Sequence, residues 1–168
     1  MEWHDMLLRL VAAAILPAAI GWDREARRKP AGLRTHMLVG LGAAGFVVVG
    51  LSMLERPPTS QGDTLTLDPL RLLDGLIGGI GFLGAGTIIQ ARGRVEGVTT
   101  AAGIWSAAAI GAACGIGRYD LAVMITALAA FVMLAIIPVK VRLAESGEDE
   151  HGEPIDRRRP PAGPREDE

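Results

Sequence analysis

Asp74-Gly75-Leu76-Ile77-Gly78-Gly79-Ile80-Gly81-Phe82-Leu83-Gly84-Ala85-Gly86-Thr87-Ile88-Ile89 decides how the rest of the chain is read. It is apolar enough for lipid, yet each glycine would weaken a helix in water by about 1 kcal/mol relative to alanine. That combination suits a membrane helix whose backbone is approached closely by its neighbours. Gly75 and Gly79 form a G-x-x-x-G pair, and Gly78, Phe82 and Gly86 continue adjoining faces at helical spacing. The stretch is therefore expected at the packed centre of a small bundle, with Gly75, Gly79, Gly81, Gly84 and Gly86 as close-packing positions. A phosphate-binding glycine loop would need a lysine and a preceding strand, and neither is here.

Working outward, the 21% of charged residues fall in short blocks between long uncharged runs, and aromatics make up only 4%. Blocks of that kind mark a polytopic membrane chain rather than a soluble core. The expected class is all-α, a bundle of five transmembrane helices over residues 1–143, followed by a charged, disordered cytoplasmic tail over 144–168. A net charge of −2 says nothing about nucleic acid, and the basic residues cluster in a juxtamembrane loop and a mixed-charge tail, which gives no duplex-binding footprint. Cys114 is alone, which rules out a disulfide framework. The acidic N-terminus and the long first apolar run argue for a retained span rather than a removable signal.

The spans are expected at 3–22, 36–54, 69–90, 99–115 and 119–139, each near the roughly 20 residues a bilayer core requires. Trp3 and Trp22 bracket the first, and Pro17 kinks it. Asp68-Pro69 supplies a helix start for the third. The fourth is almost all alanine and glycine, with Ala107, Gly111 and Gly115 in register, so it belongs between neighbours rather than at the lipid. Arg24, Arg27, Arg28, Lys29 and Arg34 follow span one, Arg92 and Arg94 follow span three, and Lys140 and Arg142 follow span five. The opposite loops hold only Arg56 and Arg118, so the N-terminus is expected outside and the C-terminus in the cytoplasm.

Two polar groups follow from this topology. Arg9, Arg71 and Asp74 lie in the outer half of the bilayer, where a charge costs about 2.5–3.5 kcal/mol on insertion scales. An Arg9–Asp74 ion pair is expected; a cation-handling Asp74 and simple snorkelling are the alternatives. On the cytoplasmic side, Asp23, Arg24 and Glu25 end span one, Arg34, Thr35 and His36 begin span two, and Glu96, Thr99 and Thr100 lead into span four. Carboxylates with hydroxyls suit a hard divalent cation. The two guanidinium groups suit phosphate, head groups or a partner's carboxylates. An interfacial ion-pair network that merely fixes helix ends is the plainer reading. No hydrolase, zinc-protease or nucleotide-binding signature is present, so no catalysis and no cofactor are expected.

Four motifs carry a resemblance: Gly21-Trp22-Asp23-Arg24-Glu25, Pro30-Ala31-Gly32-Leu33-Arg34-Thr35-His36, Gly79-Ile80-Gly81-Phe82-Leu83-Gly84-Ala85-Gly86 and Gly97-Val98-Thr99-Thr100-Ala101-Ala102. In this order and spacing the chain closely resembles the MgtC/SapB family over residues 5–142. The resemblance implies a bacterial inner-membrane protein of about five spans. It implies a role in growth under magnesium limitation, acid or intracellular stress, in some members virulence, and inhibition of the ATP synthase through its membrane sector. Direct Mg²⁺ or proton transport is the alternative it carries. Two features depart from the family pattern: Asp23 stands where glutamate is usual, and a short tail replaces a folded C-terminal domain. The glycine stripes also suggest a homo-oligomer.

Overall fold

A computed structural model describes residues 1–55, 69–91 and 94–145. The helices are α1 (Trp3–Ile15), α2 (Ala18–Ala26), α3 (Leu33–Leu54), α4 (Pro69–Gly86), α5 (Val98–Gly115) and α6 (Tyr119–Glu145). The one addition to this all-α architecture is a hairpin, β1 (Ile89–Ala91) against β2 (Arg94–Glu96), antiparallel with Gln90 opposite Val95. It lies where a tight basic loop was expected. By contact the chain divides into 1–133 and 134–168; of the second part only the continuation of α6 to Glu145 is described. The proposed cap at Asp68 and the tail beyond residue 145 lie outside the described residues.

Among the described residues, Trp3–Ala26, Leu33–Leu54 and Val98–Gly115 are long and apolar enough to cross a bilayer, and Tyr119–Leu134 is apolar but shorter. The helix α4 is outside that set and carries Arg71 and Asp74 within its first two turns.

Pro17 divides the first span, as its missing N–H requires. Leu16 N–H still bonds the carbonyl of Ala12, and Ile20 and Gly21 bond that of Pro17. The carbonyl of Ala13, which a residue other than proline at position 17 would have bonded, faces Gly40 of α3. A Cβ at Gly40 would collide with that oxygen and lie 2.6 Å from the Pro17 ring. On its other side Gly40 meets α5: a Cβ at Gly111 would stand 2.8 Å from the Cα and carbonyl carbon of Gly40. Three backbones therefore converge on one glycine.

This node corrects the expectation for the glycine-rich α4. Positions 75, 79, 81 and 86 have nothing within 4 Å of where a Cβ would be; only Gly84 touches a neighbour, 3.6 Å from Ala101 of α5. The helix buries Ile80 and Gly84 and half-buries Leu72 and Leu76, an i, i+4 stripe, and leaves Gly75, Gly78, Gly79 and Gly86 exposed. On α5, by contrast, Gly115 lies against Val47 and Ala44 of α3 as Gly111 does against Gly40. Helix α5 is the sandwiched element: its window is 61% buried, against 33% for α3 and 22% for the first span. Small side chains on every face let neighbours close in from all round it.

Arg9 does not pair with Asp74. Its guanidinium bridges Asp5 one turn away at 2.9 Å and donates to the carbonyl of Gly115 at 2.8 Å, at the last residue of α5. A helix C-terminus carries unsatisfied carbonyls and partial negative charge, so a cation there has a partner without crossing to α4.

Candidate functional site

The second polar group lies where α2 ends and α3 and α5 begin. The lack of a Cβ on Gly21 lets α2 approach the Cα of Leu33, which a side-chain carbon would meet at 2.8 Å, and the Cβ of His36, which it would meet at 3.1 Å. Between the helices, Arg28 adopts φ 53° and Lys29 N–H returns to the carbonyl of Arg24, so the chain reverses within a few residues. Glu25 then reaches forward, and its Oε2 accepts a 2.7 Å hydrogen bond from Leu33 N–H. A carboxylate at the first N–H of a helix satisfies an orphan donor and complements the dipole.

Arg24 crosses to α5. Its Nη2 donates to Thr100 Oγ1 at 2.9 Å, and both residues are buried, at 7% and 1% exposure. One turn deeper, His36 is wholly buried, and its Nδ1 lies 2.8 Å from the carbonyl of Gly32. That carbonyl can only accept, so Nδ1 carries the proton and Nε2 of the neutral ring presents a lone pair. Nε2 faces Gly103, where a Cβ would stand 2.9 Å away. Arg24 and Thr100 thus tie α2 to α5 by a polar contact, and His36 of α3 packs between Gly21 of α2 and Gly103 of α5, so the three side chains form one clasp. Neither Arg24 Nε nor His36 Nε2 has a hydrogen-bond partner among the described residues.

The other expected site residues stand apart from this clasp. Asp23 is taken up by Arg27, one turn along, at 2.8 Å. Arg34, Glu96 and Thr99 are exposed and Thr35 is half-buried. With Asp23 and Glu25 both engaged locally, the carboxylates do not converge, and among the described residues no group of three or more metal-ligating side chains forms. What the arrangement offers instead is a guanidinium buried without a carboxylate at ion-pair distance among the described residues. Around it Arg28 and Lys29 of the α2–α3 loop and Arg34 in the first turn of α3 are exposed. Elsewhere, a cavity of about 310 Å³ opens between α4 and α5, lined by Leu76, Ile77, Ile80, Trp105, Ala108 and Leu121 among others. Its lining is apolar and gives an ion no oxygen ligand.

Two contacts escaped the sequence. That between Gly40 and Gly111 was hidden because glycines in the third span were more numerous and nothing in the sequence pairs a glycine of α3 with one of α5. The Arg9–Gly115 bond had none, because a carbonyl at a helix end is anonymous in sequence.

Helical spans with small-residue contacts, tied at one end by a buried Arg–Thr–His clasp, define a polytopic membrane protein that presents a basic rim. Comparison with known proteins makes this particular. The MgtC family matches over residues 10–142, and the chain belongs to that family. It is 43% identical over 119 residues to YhiD of Escherichia coli K12, a protein named as a candidate magnesium transporter; the match covers 71% of this chain and 54% of that one. It is 42% identical over 144 residues to MgtC of Salmonella typhimurium, covering 86% of this chain and 55% of that one. A Synechocystis protein of no stated activity is 38% identical over 139 residues, 83% of this chain and 55% of its own. The chain spans about half the length of the curated relatives it matches. No solved structure matches.

Proposed function

We propose that the protein is a non-enzymatic inner-membrane regulator that serves adaptation to low magnesium or acid stress by docking a membrane partner on its Arg24 end. Family membership and the names of the relatives support the magnesium connection. The docking reading is carried by one observation. Arg24 is a buried cation whose described partner is a neutral hydroxyl, and it is rimmed by exposed Arg28, Lys29 and Arg34. An end with that charge excess attracts anionic head groups or a partner's carboxylates. The lysine and arginine count supports a cytoplasmic position for this end. By resemblance, the membrane sector of the ATP synthase is the partner to test first.

The test is growth of a deletion strain in low Mg²⁺, complemented with variants. Replacing Arg28, Lys29 and Arg34 together by glutamine should leave the protein folded and abolish both rescue and capture of the membrane partner. Full rescue by that triple variant would refute docking on the rim. Cation carriage is the second reading, favoured by the name of the Escherichia coli relative. A Mg²⁺ or H⁺ flux in reconstituted liposomes, lost on Asp74→Asn, would establish it in place of the first.

A further inference from the structure

The outward face of α4 is not built for lipid. Around the helix, Arg71, Asp74, Gly75, Gly78, Phe82 and Gly86 fall on one side at i, i+3/i+4 spacing, opposite the stripe of Leu72, Leu76 and Ile80 that meets the bundle. Phe82 is 81% exposed, Asp74 is exposed, and Gly75, Gly78 and Gly86 have nothing within 4 Å. Asp74 begins the second turn, about 7.5 Å along the axis from Pro69 at 1.5 Å per residue. On the five-span reading α4 crosses the bilayer, and a carboxylate at that position then lies inside it. Hydrocarbon is a poor environment for a carboxylate, and an intramembrane charge takes a partner. Among the described residues Asp74 has no ion-pair partner.

We propose that α4 is the seam of a homodimer, in which Arg71 of each copy pairs with the partner's Asp74. The occupant follows from the charges. Arg71 and Asp74 sit about 60° apart round the helix and about 4.5 Å apart along it, on opposite sides of the face's midline, so a two-fold axis parallel to the helix brings Arg71 of each copy to the side of the seam that holds the other's Asp74. Each ion pair then forms twice. Gly75 and Gly78 supply what membrane helix association needs, since between helices in lipid there is no hydrophobic drive and backbones must come close. The open glycines and the outward carboxylate, each at odds with a lipid-facing helix, have the same explanation. This assignment is independent of the Arg24 rim, which is built from other helices.

The experiment uses the full chain with two different tags, co-expressed in native membranes. Asp74→Arg and Arg71→Asp copies should each fail to capture themselves, by tenfold or more relative to the natural chain. Asp74→Arg should capture Arg71→Asp, because crossing the two variants restores both pairs. Undiminished self-capture by either single variant, or failure of the mixed pair, overturns the proposal. A second measurement does not depend on charge reversal. In a Cys114→Ala background, Gly78→Cys should give an adduct of twice the chain mass with a short bis-maleimide, and the exposed Gly42→Cys should not. Equal adduct from both, none from Gly78→Cys, or an adduct with a different protein would each overturn it.

Discussion

A single methyl group at Gly40 should be among the most damaging conservative changes in the chain, whereas the same change two residues away should be harmless. At Gly40 the new carbon would overlap the carbonyl of Ala13 and stand 2.6 Å from Pro17 Cγ; Gly42 has nothing within 4 Å. Both substitutions gain the same helix propensity, up to about 1 kcal/mol, so their difference isolates the clash. Overpacking a close contact costs about 1–3 kcal/mol. Here the obstacles are backbone and a proline ring, neither of which can rotate away, so the upper part of that range applies. Gly40→Ala should lie about 2–3 kcal/mol below Gly42→Ala, roughly 30- to 150-fold in the folding equilibrium at 1.4 kcal/mol per tenfold. Unfolding of purified protein in mixed micelles, titrated with a denaturing detergent, reads this difference directly. Coincident transitions for the two variants would refute the three-backbone node and with it the account of how the bundle is centred.

Thr100→Val keeps the shape of the side chain but removes the acceptor of Arg24 Nη2, leaving a buried charged donor unmatched; the same titration should show a loss of about 1–3 kcal/mol, with Thr100→Ser close to the natural chain. Arg9→Met uncaps α5 and should cost about 1.5–3 kcal/mol through the lost bond to Gly115. Asp5→Asn, a part-exposed partner, should cost under about 1 kcal/mol; equal losses from the two would mean that the ion pair, not the cap, is what Arg9 supplies. Gly97→Ala should cost at least the ~1–2 kcal/mol of a left-handed residue, because Gly97 has φ 91° and a Cβ there would strike the carbonyl of Thr87. Faster cleavage between Thr87 and Gly97 by added protease in open vesicles would report it.

The class of this protein needed no coordinates. Uncharged runs near bilayer length, interrupted by charge blocks, leave a chain few options but membrane helices, because hydrocarbon satisfies no exposed backbone group. The break at Pro17 was equally legible, since proline removes a hydrogen bond wherever it sits in a helix. Burial of α5 could be anticipated from its lack of large side chains. The clasp was half legible: Arg24, Thr100 and His36 were candidates by motif and topology, but Asp23 was grouped with them although Arg27, one turn along, takes it.

Partner choice was decided in three dimensions. Counting glycines pointed to α4 as the centre, yet a glycine shows only that close approach is permitted, not that it occurs. The approach takes place at Gly40 and Gly111, where the carbonyl freed by Pro17 leaves room for a second backbone and α5 supplies a third. Likewise Arg9 had a visible carboxylate in Asp74 and found a helix end instead. Sequence alone determined that this chain crosses lipid as helices and which side chains are out of place there, because those follow from the solvent. Which of them meet was left to the packing, because a contact depends on the separation and rotation of helices that no single stretch encodes.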